Sequence, residues 1–288
     1  MPTFTPGEAE GDKFQVQSSG ENPTHAVILV GGIHDTYHYW DSWKENLNGP
    51  DNVVIGYNHD HTKDTMPNSA HELAHLIDGL KEKGITEVTV VAHSMGGLVA
   101  KGALDELARD GQAADFKHID LHTFGTPFGG FALAEPAHLM PGGAAISNAV
   151  GFPMGPDIGP GSPYMKSLAQ DWPANMDFHM TVGSKDHVAL PAASSTHERY
   201  NEIEAKAQSI TVVEGYQHTD YRNAGASLLN AAKQEPVAGF DTLPMADRDS
   251  ARGEQKSTFE AAKNESEKSA EPQARAQAKA EVVAEMSR

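Results

Sequence analysis

The chain has 288 residues, 39% of them hydrophobic, and 22 Lys and Arg against 40 Asp and Glu give it a net charge of −18. That length suits one large α/β domain or two small ones, and so acidic a chain offers nothing to neutralise phosphates, which excludes nucleic acid as a partner. It has no cysteine, which excludes disulfides, a thiolate nucleophile and Cys-ligated zinc.

Residues 1–24 read as a loose leader with a short edge strand at Lys13–Gln17. MPTFTPGEAEGDKF has no basic stretch followed by an apolar one, so no secretory signal peptide is expected. No apolar run approaches the roughly 18–20 residues that span a bilayer. The expected location is therefore cytoplasmic, or exported by a route without an N-terminal signal.

From Ala26 the pattern changes. AVILV (26–30), VVIG (53–56), VTVVA (88–92), HIDLHTF (118–124), FHMTVG (178–183) and SITVV (209–213) are short apolar runs of the kind buried on both faces of a sheet. Helical patterns lie between them at Tyr39–Leu47, Ser69–Lys83, Met95–Arg109 and Asp220–Ala232. Pro67-Asn68-Ser69 followed by Glu72 resembles a capped helix start. Strands alternating with helices predict βαβ units and an α/β fold with a mainly parallel sheet covered by helices on both faces.

The rhythm breaks between Phe128 and Trp172. This stretch is rich in Gly, Pro and isolated apolar residues, too long for an ordinary loop, and is expected to form a cap or lid insertion over the carboxyl edge of the sheet. The catalytic domain is thus expected over 25–233. Residues 234–288 change to Ala, Glu, Lys and Gln and read as a polar tail, disordered or helical, whose protein partner the sequence does not identify.

The chemistry centres on Ala92-His93-Ser94-Met95-Gly96-Gly97. A serine hydroxyl is a poor nucleophile and needs a base, an orienting acid and an electrophilic pocket. A sharp strand-to-helix turn presents it best, and such a turn demands small neighbours, here Ala92 and Gly96. This is the G-x-S-x-G nucleophile elbow with Ala in the first position. The acid and the histidine should follow in that order. Asp186 stands just past the strand ending at Gly183, and His218 follows the last strand in Gly215-Tyr216-Gln217-His218-Thr219-Asp220. His187 is a rival base and Asp220 a rival acid, the latter better placed to begin the last helix. Two backbone N–H groups should form an oxyanion pocket. Met95 supplies one, and Ile33 after Gly31-Gly32 the other, with Gly32 and His34 as alternatives. Gly32, His93, Phe128, Met140 and Val188 are expected to line the substrate site. His59 and His61, with Asp64 nearby, form an imidazole pair of a spacing that binds zinc, but no third ligand stands at convincing spacing, so no metal is assigned.

With those residues in hand, the chain resembles the α/β-hydrolase superfamily, and within it the lipase and carboxylesterase branch. The Ala-x-Ser-x-Gly elbow occurs in bacterial lipases. Thr123–Gly130 (TFGTPFGG) is similar to a strand end common in lipases, and Gly161–Leu168 (GSPYMKSL) to an element near their lid. Gly183–Val188 is similar to their acid loop and Gly215–Tyr221 to their histidine loop. The resemblance covers about 25–233; Gly31-Gly32 departs from the usual His-Gly pair. It implies a cofactor-free serine carboxylic-ester hydrolase acting on a small-molecule or lipid-like acyl ester, with transient contact at a lipid interface. The alternatives are a phospholipase acting as an exported effector, acyl transfer to an alcohol, and a non-catalytic binding module.

Overall fold

The computed structural model describes residues 7–10, 13–131, 152–189, 198–224 and 228–229. Eight strands form one sheet in the order β1-β2-β4-β3-β5-β6-β7-β8. They are β1 (Gly7–Glu10), β2 (Phe14–Ser18), β3 (His25–Val30), β4 (Asn52–Tyr57), β5 (Glu87–His93), β6 (His118–Phe124), β7 (Met176–Gly183) and β8 (Ser209–Val213). All pairings from β4 to β8 are parallel, whereas β1 and β2 join antiparallel at one edge. Residues 7–10 and 14–18 therefore belong to the sheet, and β2 is not an edge strand because β1 covers it. The signal for β1 is weak: GEAE has neither a β-branched nor an aromatic residue, and only its pairing with β2 makes it a strand.

The helices are α1 (Asp41–Leu47), α2 (Met66–Leu80), α3 (Met95–Arg109), α4 (Pro163–Ser167), α5 (Glu198–Lys206) and α6 (Tyr221–Ala224). A 3-10 turn, Tyr37–Trp40, leads into α1. The start of α2 lies ahead of the expected Ser69. Thr65 is the cap, its hydroxyl accepting from the Asn68 N–H at 3.3 Å, while Ser69 is buried one turn in.

Alternation along the strands builds two cores. Ile28, Ile55, Val90 and Leu121 face α2 and α3 on one side of the sheet. Val27, Leu29, Val91 and Phe124 face Trp40, Trp43 and Tyr221 on the other. Part of the expected lid joins the first core: Phe152, Met154, Ile158, Tyr164 and Leu168 are buried in it. The Tyr164 hydroxyl donates to the Leu98 carbonyl at 2.9 Å, and the Asp157 carboxylate accepts from the Met66 N–H at 3.0 Å. Residues 152–168 thus pack into the core as part of the cap. Residues 132–151 of the insertion, with Met140, lie outside the described residues, as does the tail over 234–288.

Candidate active site

β5 runs straight into α3, with Ser94 alone between them. Ser94 takes φ 53° and ψ −129°, a conformation that costs a non-glycine residue on the order of 1–3 kcal/mol. Two backbone hydrogen bonds hold it there. The Ser94 N–H donates to the Phe124 carbonyl at 2.9 Å, and the Ser94 carbonyl accepts from the Gly97 N–H at 3.0 Å. Gly96 packs directly against the Gly31 and Val30 carbonyls, leaving no room for a Cβ. The small residues at the corner are therefore a steric requirement of the turn.

The structure brings Ser94, His218 and Asp186 together. His218 Nε2 lies 2.8 Å from Ser94 Oγ, and its Nδ1 is 3.0 Å from both carboxylate oxygens of Asp186. Asp186 is fully buried. Burial alone pushes its carboxyl up, but hydrogen bonds from His218, the Ala189 N–H and the Tyr221 hydroxyl outweigh it, and the group sits below the ordinary carboxylate value. The Tyr221 hydroxyl donates to Asp186 Oδ2 at 2.8 Å and accepts from the Gly183 N–H at 2.6 Å. Burial and the neighbouring Asp186 push the Tyr221 hydroxyl well above its usual value, so it stays a donor. The sequence reading missed Tyr221; its signal is a lone aromatic three residues past the candidate base. Gly125, at φ 60°, runs so close beneath the group that a Cβ there would lie 2.6 Å from Asp186 Oδ2.

The rivals take other roles. Asp220 accepts from the Gln217 N–H at 2.7 Å, and His187 is exposed.

Around the turn after β3, the Gly32 N–H donates to Asp35 Oδ2 at 2.7 Å, which leaves Ile33 and His34 as the oxyanion candidates on that side. A Cβ on Gly32 would lie 2.8 Å from Ser94 Cβ, so this residue borders the Ser94 hydroxyl. Met95 is the first residue of α3, where an N–H needs no helical partner. His59, buried beneath the same turn, donates from Nε2 to the Gly31 carbonyl at 2.9 Å. Burial holds it below the ordinary imidazole value, hence neutral. His61 stands edge-on to His34 at 4.3 Å, so the two histidines singled out as an imidazole pair serve different contacts.

Two expected substrate residues need correction. His93 is buried, with Nδ1 3.2 Å from Asp35 Oδ2 and Nε2 2.8 Å from the His218 carbonyl, and it stacks on Tyr39 at 4.7 Å. Both ring edges are occupied inside the protein, so it faces no substrate. Phe128 is buried edge-on against Phe178 at 5.7 Å, in the core. Val188 is half-buried beside Asp186, and its backbone N–H donates to Oδ1 of that carboxylate at 3.0 Å.

Comparison with known proteins follows this geometry. The family model described as an alpha/beta hydrolase of unknown function matches residues 42–127, which include the elbow. No curated protein matches the chain. Among solved structures, a putative esterase from Staphylococcus aureus superposes with a TM-score of 0.52 at 12% identity, over 80% of this chain and 81% of its own. The thioesterase domain from the curacin biosynthetic pathway gives 0.51 at 13%, over 80% and 99%. A structure from a study of carboxylesterases of the thaumarchaeon Nitrososphaera gargenis gives 0.50 at 15%, over 80% and 96%. The chain has the α/β-hydrolase fold.

Proposed function

We propose that this α/β-hydrolase chain is a serine hydrolase of carboxylic esters, with Ser94 as nucleophile, His218 as general base and acid, and Asp186 as the group that orients the imidazole. The observation that carries this reading is the unbroken line of contacts from Ser94 Oγ through His218 to a buried Asp186 held in its charged form. Ser94 donates its proton to His218 Nε2 as Oγ attacks the ester carbonyl carbon. The imidazolium is stabilised by Asp186 and returns the proton to the leaving alcohol. Water then repeats the sequence on the acyl-enzyme and frees the acid. Ile33 and Met95 N–H groups are the proposed oxyanion donors, each contributing about 3–4 kcal/mol to the transition state in comparable hydrolases.

The substrate is proposed to be a small-molecule acyl ester, lipid-like. The readings as an exported phospholipase, an acyltransferase or a binding module have no observation that favours them over this one. Among the described residues no helix is long and apolar enough to cross a membrane. The test is hydrolysis of p-nitrophenyl esters from acetate to palmitate by the wild type and Ser94→Ala. Turnover that the substitution abolishes supports the assignment. Equal turnover by both chains refutes it, and a wild type inactive on every ester favours the binding module.

A further inference from the structure

A second cluster of reactive groups lies apart from the hydroxyl, at mid-height on the sheet face that α1 and α6 cover. β6 carries His118, Asp120 and His122 at alternate positions, so all three project from one face, the same face as Phe124. β7 lies parallel to it with Asp120 opposite Asp177 and His122 opposite His179. Two strands thus set imidazoles and carboxylates in register on a face that carries Thr89 and Ser209 as well as Val27, Leu29, Val91 and Phe124. Taking such groups out of water is costly unless polar partners or a ligand offset it.

A nitrogen of His122, a nitrogen of His179 and an oxygen of Asp120 all lie within 4.8 Å of one another. Both histidines are buried, and their rings stack at 4.5 Å with 14° between planes. The surroundings already orient each donor. His179 Nδ1 is 2.7 Å from Ser209 Oγ. His118 Nε2 lies 3.1 Å from Asp120 Oδ1, and the Thr89 hydroxyl donates to Asp120 Oδ2 at 3.5 Å. Outer partners of this kind fix ring orientation and carboxylate direction in metal sites.

We propose that Asp120, His122 and His179 form a binding site for a transition-metal dication of the Zn2+ type, clamping β6 to β7. Two imidazoles and one carboxylate suit zinc and its neighbours, not the all-oxygen ions Ca2+ and Mg2+. The ion's charge exceeds that of the single carboxylate, and the strongly acidic chain attracts cations. The site does not depend on the hydrolase reading, since none of its residues contacts Ser94, His218 or Asp186 in the hydrogen-bond network described above.

The test is equilibrium dialysis of the full chain against ZnCl2. An exposed pair on α2, His71 and His75, whose Nε2 atoms are 3.0 Å apart, is the obvious competitor, so all chains carry His71→Ala and His75→Ala. The expected result is one Zn2+ retained per chain, with affinity at least tenfold weaker when Asp120→Asn or His179→Gln is added, and a Tm raised by about 5–10 °C at a hundredfold excess over Kd. No retained ion, or unchanged affinity in both added variants, overturns the site. If those variants fail to fold, Co2+ decides in the His71→Ala, His75→Ala chain: d–d bands of nitrogen-ligated cobalt at one equivalent support the site, and the spectrum of the aquo ion overturns it.

Discussion

His93 Nε2 lies 2.8 Å from the carbonyl oxygen of His218, so the residue immediately before the candidate nucleophile holds the backbone of the candidate base. Its other ring nitrogen faces Asp35, the same carboxylate that accepts from the Gly32 N–H beside Ser94. One imidazole thereby ties together the elbow, the turn after β3 and the loop after β8. Three segments distant in sequence are fixed against one another through this imidazole and the Asp35 carboxylate.

This brace predicts a specific kinetic signature. His93→Phe keeps a flat ring stacked on Tyr39 but removes both hydrogen bonds. On the proposed reaction, kcat should fall about 10- to 100-fold through misplacement of His218, with a much smaller change in KM. Steady-state kinetics on a p-nitrophenyl ester check it, and an unchanged kcat contradicts the positioning role.

Asp186 gives a prediction in both rate and pH. Asp186→Asn should lower kcat by about 10^4 while far-UV circular dichroism stays that of the wild type. Because the folded carboxyl sits below its ordinary value, it contributes stability that is fully present above the unfolded value near 3.8 and is lost as pH falls through the folded one. Urea denaturation between pH 3 and pH 6 should therefore show a shallower acid loss in Asp186→Asn than in the wild type. Parallel curves would contradict the assignment of a favourably held charge.

Backbone strain at Ser94 predicts that the site opposes stability. Ser94→Gly relieves the positive φ and should raise stability by about 1 kcal/mol, the gain being reduced by the greater freedom of glycine in the unfolded chain. Thermal melts check this: Tm should rise as ester hydrolysis disappears, and a lowered Tm would mean that the hydroxyl stabilises more than the conformation costs.

On the opposite side of α3, buried Lys101 pairs with Asp105, donates to the Asp171 carbonyl at 2.9 Å and lies 4.0 Å from the Trp172 ring centre. Burial pushes the Asp105 carboxyl up to about 7 despite Lys101. Lys101→Ala should cost about 3–5 kcal/mol, because it strands a buried carboxyl, whereas Lys101→Met with Asp105→Leu should be far milder. Urea midpoints measure both, and equal losses would contradict the pairing.

Much of this was legible in the sequence because the signals are local. β6, β8 and α3 have the limits their apolar patterns predict, and the elbow is readable since only small residues fit between β5 and α3. The proximity of Asp186 and His218 to Ser94 is legible from chain order and from their places past strand ends. What escaped depends on pairing across the fold. β1 has no pattern of its own, Thr65 caps α2 where Ser69 was expected, and α5 lacks a strong apolar stripe. His93 and Phe128 read as substrate residues because their neighbours in sequence are candidate site residues or loop-like. Their burial is set by Tyr39 and Phe178, residues far away in the chain.

The central claim is that Ser94 is a nucleophile activated by His218. Intact-mass analysis after treatment with a fluorophosphonate tests it directly. The account predicts a single adduct on Ser94, formed by the wild type and not by Ser94→Ala or His218→Ala. An unmodified wild type, or an adduct that persists in His218→Ala at the same rate, would contradict it.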